Sequence, residues 1–233
     1  MRPRPVAIQL AAPLVIAALA ATPLPGSSME LGWSATYASW YSFQGLDYSD
    51  RRPVLQPELE CTLRGISLGL WGSFDQSREE LNEADITLQW DWERGRLSGG
   101  LGYTNLQYPH RPDWRPSQEI LADFAFDAMV APSLSLHWDL DEGRGRYWAL
   151  GIDHGLPGMP RAVRVAERIY AQEDYYGMSG ISAGETRVSV RGPWAGVVWE
   201  PALARVWCWE NADFRGTDAV LPGWLLRVTL SPR

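Results

Sequence analysis

The sequence predicts an all-β fold: a single antiparallel transmembrane up-and-down β-barrel of about twelve strands. Three observations carry that expectation. Apolar and polar residues alternate at every second position in segment after segment, the links between segments alternate between short and long, and Trp and Tyr gather at segment ends. In ADITLQWDWERG (84–95), Ile86, Leu88, Trp90 and Trp92 fall on one face, and Asp85, Thr87, Gln89, Asp91 and Glu93 on the other. Successive side chains of a strand point to opposite sides, whereas a helix would scatter both sets. Such a strand separates two solvents, placing Trp90 toward lipid and Gln89 toward the lumen.

A chain of 233 residues suits one large all-β domain. An apolar fraction of 45% and a charged fraction of 21% exclude gross disorder. The opening MRPRPVAIQLAAPLVIAALAATPLPGSS sets Arg2 and Arg4 before an apolar run ending in small residues, the pattern of a secretory signal cleaved near Ala20. Residues 1–20 are thus expected to leave, and 31–233 to form the barrel of a Gram-negative outer-membrane protein. Cleavage removes two Arg and no acid, taking the formal charge from −7 to −9, which excludes nucleic acid as a partner. No later segment has the ~18 consecutive apolar residues of a membrane-crossing helix, so a membrane would be crossed by strands. Cys61 and Cys208 permit a disulfide in an exported chain, but two cysteines without a framework read better as free apolar fillers.

The expected strands run in order as follows. Leu31–Ser42 opens the set, with Leu31, Trp33, Ala35 and Tyr37 on one face. Val54–Leu63 sets Leu55, Leu59, Cys61 and Leu63 against Gln56, Glu58, Glu60 and Thr62; Ile66–Ser73 presents Ile66, Leu68 and Leu70. After Asp85–Glu93 comes Leu97–Tyr108, whose Gly99, Gly100 and Gly102 suit a curved wall closely approached by another group. Gln118–Ala128 sets Ile120, Ala122, Phe124 and Phe126 against Glu119, Asp123 and Asp127, and Ser133–Asp141 sets Leu134, Leu136, Trp138 and Leu140 against His137, Asp139 and Asp141. Arg146–His154, Ala162–Tyr170, Glu185–Arg191, Trp194–Trp209 and Trp224–Ser231 complete the set. Pro201 cannot donate to a ladder and marks a bulge or an edge, leaving the faces of Arg205, Trp207 and Trp209 open. Glu167 shares a face with Val163, Val165 and Ile169, which requires either a bulge or a position near the interface.

Outer-membrane barrels have short periplasmic turns and longer outer loops. With the N-terminus in the periplasm, Arg64-Gly65, Arg94–Arg96, Met129–Pro132 and Gly192-Pro193 are the expected inner turns. Gln44–Pro53, Phe74–Asn82, Pro109–Ser117, Gln172–Ala183 and Glu210–Gly223 are the expected outer loops, while Glu142–Gly145 is short for an outer link and Gly155–Arg161 long for an inner one. Trp33, Tyr41, Trp92, Tyr108, Trp199, Trp209 and Trp224 fit interfacial girdles.

The polar faces supply the pore-lining candidates, sorted by sign. Glu58, Glu60, Asp85, Glu119, Asp123, Asp127 and Asp139, with Asp91 and Asp141, come from early strands; Arg164, Arg168, Arg187, Arg191 and Arg227 come from late ones. Strands near in sequence are near in space in a meander, so an acidic arc is expected to face a basic arc. The competing expectation is neighbouring salt bridges that fill a small closed interior. His137 sits on the acidic face, where a hydrogen-bonded interior histidine outweighs a metal or proton site.

Motifs for metal hydrolysis, nucleotide binding and the nucleophile elbow are absent from the sequence, so no catalytic residue, cofactor or metal is assigned. Gly100-Leu101-Gly102 lies inside a strand and reads as curvature rather than a phosphate cradle. Two other functions remain open. One is a barrel-borne lipid hydrolase using a Ser such as Ser98, Ser133 or Ser135 with a His; the other is a soluble secreted Trp-rich carbohydrate-binding β-sandwich.

The segments PVLQPELE (53–60), GISLGLWGSFD (65–75), NEADITLQWDW (82–92), LSGGLGYTNLQYP (97–109), SQEILADFAFD (117–127) and APSLSLHWDLDEGRGRYWALGIDHGL (131–156) together resemble the TorF-like porin family of bacterial outer-membrane β-barrels. The resemblance covers roughly 31–156 and implies a barrel with a proposed pore function, no catalytic residues and mostly unassigned substrates. Outer-membrane lipid, the outer-membrane assembly machinery and small hydrophilic solutes or ions are the partners it implies; the oligomeric state is left open. Many outer-membrane barrels end in an aromatic residue used in assembly, whereas this chain ends LLRVTLSPR.

Overall fold

The computed structural model describes residues 29–111, 113–156, 162–208 and 222–232. The leader, Trp209 and most of the links 155–161 and 210–223 therefore lie outside the described residues. The strands are β1 (Glu30–Ala38), β2 (Ser42–Phe43), β3 (Leu46–Asp47), β4 (Val54–Leu63), β5 (Ile66–Asp75), β6 (Glu80–Arg94), β7 (Leu97–Gln107) and β8 (Ser117–Phe126). They continue with β9 (Ser133–Asp139), β10 (Arg146–Gly155), β11 (Val163–Tyr175), β12 (Met178–Val190), β13 (Gly192–Trp194), β14 (Val197–Cys208) and β15 (Gly223–Pro232).

Leaving aside β2, β3 and β13, each strand pairs antiparallel with the next, and β15 returns to pair with β1. β12 pairs directly with β14, with β13 as a short extension along β14. The result is a closed twelve-stranded up-and-down barrel. Closure excludes the two-sheet sandwich, because a sandwich keeps edges and this sheet has none.

The period-two pattern chooses the faces. Leu31, Leu59, Leu70, Trp90, Leu101 and Leu150 are exposed large apolar residues, and similar side chains project from the outside of the other strands. An apolar belt of this extent is what lipid solvates and water does not. Hydroxyls and carboxylates meet inside: Thr36 with Thr229 at 2.8 Å, Thr87 with Thr104 at 2.9 Å, and Ser34 donating to Glu58 at 3.0 Å. The close approaches expected at the β7 glycines are present. A Cβ on Gly99 would strike the Trp92 ring, and one on Gly100 would strike Gln89 and Asp91.

Several boundaries move. β1 ends at Ala38, four residues before the expected Ser42, because the chain then turns into the barrel. The expected loop Gln172–Ala183 is mostly strand: β11 and β12 run on to a two-residue turn at Tyr176-Gly177, with positive φ at both. Register shifts after Tyr170 and Gln172 break the alternation there, hiding the extension from the sequence pattern. A shift between Ser73 and Phe74 does the same for β5 and β6, whose link shrinks to 76–79. The tight turn expected at Gly192-Pro193 lies instead at Ala195-Gly196, where both φ values are positive, as a two-residue hairpin turn requires.

Pro201 produces no bulge. The β14–β15 register is unbroken through Pro201, and on its other side β14 pairs with β13 up to Trp199 and with β12 from Ala202. The missing N–H thus falls in the gap between two partners. Parity then places Leu203, Arg205 and Trp207 outside and Ala202, Ala204 and Val206 inside. Glu167 likewise lies in a regular ladder, opposite Ile152 and Thr186, so a bulge does not explain it.

Candidate functional lumen

The end of the barrel that carries the longer links is filled by the chain's own first loop. After Ala38, β2 and β3 form a small hairpin whose turn, Gln44-Gly45, has φ of 55° and 81°. Its tip reaches the wall three and four strands away: Gln172 Nε2 on β11 donates to Gln44 Oε1 at 3.0 Å, and the Ser182 hydroxyl on β12 reaches the Gln44 carbonyl at 3.4 Å. A Cβ on Gly45 would overlap that of Ala183.

Aromatic contacts extend the plug around the ring. Tyr41 lies 5.6 Å from Trp71 on β5, Phe43 5.5 Å from Tyr147 on β10, and Tyr48 4.7 Å from Trp114, all between ring centroids. The buried apolar core sits here, with Ala38, Trp40, Tyr41, Val206 and Leu225 in one cluster. Tyr41, expected in an interfacial girdle, belongs to this core instead. The sequence hid the arrangement because inward apolar residues near this rim blur the alternation that identifies a polar lumen.

Charged anchors hold the loop's base. Arg52 Nε donates to Asp75 at 2.6 Å and Nη2 to Asp50 at 2.7 Å. The hydrogen bond from Arg52 holds the Asp50 carboxyl below the usual carboxylate range. The hairpin leaves two spaces: a cleft of about 400 Å³ at the loop end, against Tyr108, Trp114 and Tyr176, and a cavity of about 190 Å³ deeper in the barrel.

The wall below carries the sequence-predicted charges, in three settings. Glu58 and Glu60 face inward on β4, receiving the Ser34 and Thr62 hydroxyls, and Asp85 on β6 lines the deeper cavity. Asp123 faces inward on β8, opposite Ser135. Asp127 lies beyond β8 in a turn, where its carbonyl receives Arg96 Nε at 2.6 Å. Arg191 falls after the end of β12, at the short-turn end.

Glu119 and Asp139 are wholly buried and committed to structure. Glu119 accepts from Tyr175 OH at 2.7 Å and meets His137 Nδ1 at 3.0 Å, with the imidazole stacked 4.2 Å from Tyr147. Among the described residues, no Ser hydroxyl is bonded to His137. Asp139 accepts from the Ser117 hydroxyl at 2.7 Å and from the backbone amides of Asp141 and Gly143, both at 2.9 Å. That network folds the unusually short link before β10.

The late-strand arginines meet acids that the early-versus-late sorting left out. Arg227 donates through both Nη atoms to Glu185, at 3.1 and 3.3 Å, and Arg164 Nε to Asp153 at 2.8 Å. Both acids stood on polar faces of expected strands, so strand parity was the signal that could have found them. Arg168 and Arg187 complete the basic side; among the described residues, nothing accepts from the buried Arg187 Nε. Cys61 and Cys208 are free thiols.

No family model matches the chain, and no curated protein matches it. Among solved structures, the chain is similar to the NanC porin in a rhombohedral crystal form, with a TM-score of 0.52 and 10% identity, covering 88% of this chain and 100% of that one. CdiB from Acinetobacter baumannii matches with a TM-score of 0.42 and 10% identity, over 88% of this chain and 60% of its own. At that identity the NanC likeness speaks for the fold alone, that of an outer-membrane β-barrel.

Proposed function

We propose that this chain is an outer-membrane channel of narrow bore, passing small hydrophilic solutes or ions. One observation carries the reading: a closed ring of twelve strands turns an apolar belt outward and an array of carboxylates and guanidiniums inward. The plug narrows the passage and divides it, so selectivity belongs to the hairpin and the wall beneath it. On this reading the leader 1–20 is removed on export, the assembly machinery inserts residues 31–233, and the short turns face the periplasm. The resemblance to TorF-like porins and the fold shared with a porin favour the same reading.

Purified protein in planar bilayers tests it directly. The expected result is stepwise conductance in KCl from a species that floats with lipid and changes gel mobility on heating. Recovery as a soluble periplasmic protein ends the membrane reading, and lipid-bound barrels that pass no current end the channel reading.

A further inference from the structure

The deeper cavity brings together an acid and a base that do not bond to each other. Asp85, from β6, and Arg227, from β15, line the same space of about 190 Å³, with Gln56 on the wall between them and Trp40, Tyr41 and Trp71 around it. Asp85 takes part in no ion pair among the described residues. No described group donates to its buried Oδ1. Asp85 lines the cavity with no cation paired to it among the described residues, and with Glu83 two positions along the same inward face that position favours a cationic donor.

The Arg227 end has the opposite bias. Glu185 uses one hydrogen of each Nη, leaving Nε–H and two further N–H groups of the planar guanidinium for another acceptor. A space of about 190 Å³ has room for a small molecule of several heavy atoms. A lone ion satisfies one end only, and an uncharged solute satisfies neither.

Resting on the channel reading above, we propose that this cavity is a binding site for a small zwitterion of the α-amino acid class, its ammonium at Asp85 and its carboxylate at Arg227. Gln56 contributes a neutral amide between the charges, and the aromatic faces exclude water around the ligand's short side chain. A solute held there sits directly beneath the hairpin, so the site acts as the channel's selectivity step.

The test uses the full barrel in bilayers, with L-alanine as the probe. Alanine at millimolar concentration is expected to reduce the KCl current saturably, while equal acetate, methylammonium or glycerol leaves it unchanged. Asp85→Asn is expected to weaken the block at least tenfold, with the heat-dependent gel shift retained; Gln56→Leu, which alters the cavity without touching a charge, serves if that variant does not fold. Block by acetate or methylammonium equal to that by alanine, or block undiminished in a folded variant, overturns the site. If the barrel passes no current, the channel reading fails; equilibrium dialysis of labelled alanine against the detergent-solubilised protein then decides the site by itself, absence of binding overturning it.

Discussion

Gln172 donates a hydrogen bond to Gln44 across 128 positions of sequence, and both side chains are buried. This contact docks the tip of the β2–β3 hairpin against the barrel wall, where Gly45 allows the approach by lacking a Cβ and by accepting φ of 81°. Gly45→Val breaks both conditions. The expected outcome is a conductance severalfold above that of the unaltered protein, together with faster amide exchange over 42–47 and an unchanged heat-dependent gel shift. Unchanged conductance with the hairpin demonstrably loosened shows that the narrowing lies elsewhere.

The anchor at the loop's base gives a pH dependence with a definite sign. Asp50 has its pKa depressed by Arg52, so its contribution is complete above the unfolded value of about 4 and is lost as pH falls through the lowered folded value. Asp50 is largely exposed, so the effect is small. Loosening of the loop is expected only below about pH 4, as a rise in current that Asp50→Asn shows already at neutral pH. An Asp50-dependent change between about pH 5 and 8 contradicts the assignment.

The stretch that first indicated a barrel allows a test of the faces. Trp90 is exposed on the outside between Ile66 and Leu101, whereas Gln89 faces the lumen, donating to Asp91 at 2.6 Å. Trp90→Arg is expected to cost about 2 to 4 kcal/mol in unfolding from lipid. Gln89→Arg, next to a carboxylate, leaves stability near that of the parent and changes selectivity. Equal stability of the two variants by urea titration in liposomes refutes the faces.

Strand β8, and β6 from Asp85 onward, were legible because their two sides meet different solvents there. The mouth was not. Tyr147, Tyr170 and Tyr175 point inward there, as do Ala183, Val206 and Leu225, to receive the hairpin, so both faces become apolar and period two loses its contrast. Asp139 and Glu119 lie on the inward face, but parity says nothing of whether an inward carboxylate meets water or a ring of donors. That distinction depends on Ser117 and Tyr175, which are 22 and 56 positions away.

Glu167 is a carboxylate on the outward face. It lies four positions above the start of β11, about 13 Å along the strand, which is about 10 Å of height at a tilt near 40°. That depth is inside an apolar band about 25 Å tall. Glu167→Val is therefore expected to stabilise the barrel by about 1 to 2 kcal/mol, a carboxylate on the lipid face costing less than a guanidinium. Destabilisation by a similar amount instead identifies a polar partner on this face.

The separation of charge around the ring gives the last prediction. β6 and β12 stand six strands apart in a ring of twelve, as do β8 and β15, so Asp85 and Glu119 come from strands opposite those of Arg187 and Arg227. Glu185 and Asp153 neutralise Arg227 and Arg164 locally, which leaves Arg168 and Arg187 as the main sources of positive potential on their side. Field lines in a low-dielectric wall converge on the aqueous path, so even two guanidiniums with no ion pair among the described residues bias the ions that pass. With Arg187→Glu and Arg191→Glu combined, the reversal potential in asymmetric KCl is expected to move toward cation preference. Arg191→Glu alone, at the exposed short-turn end, is expected to move it less and to lose its effect in high salt, where the Debye length falls to about 3 Å at 1 M. Detectable current with an unmoved reversal potential in the double variant refutes the transverse field and favours an interior whose charges are spent on their neighbours.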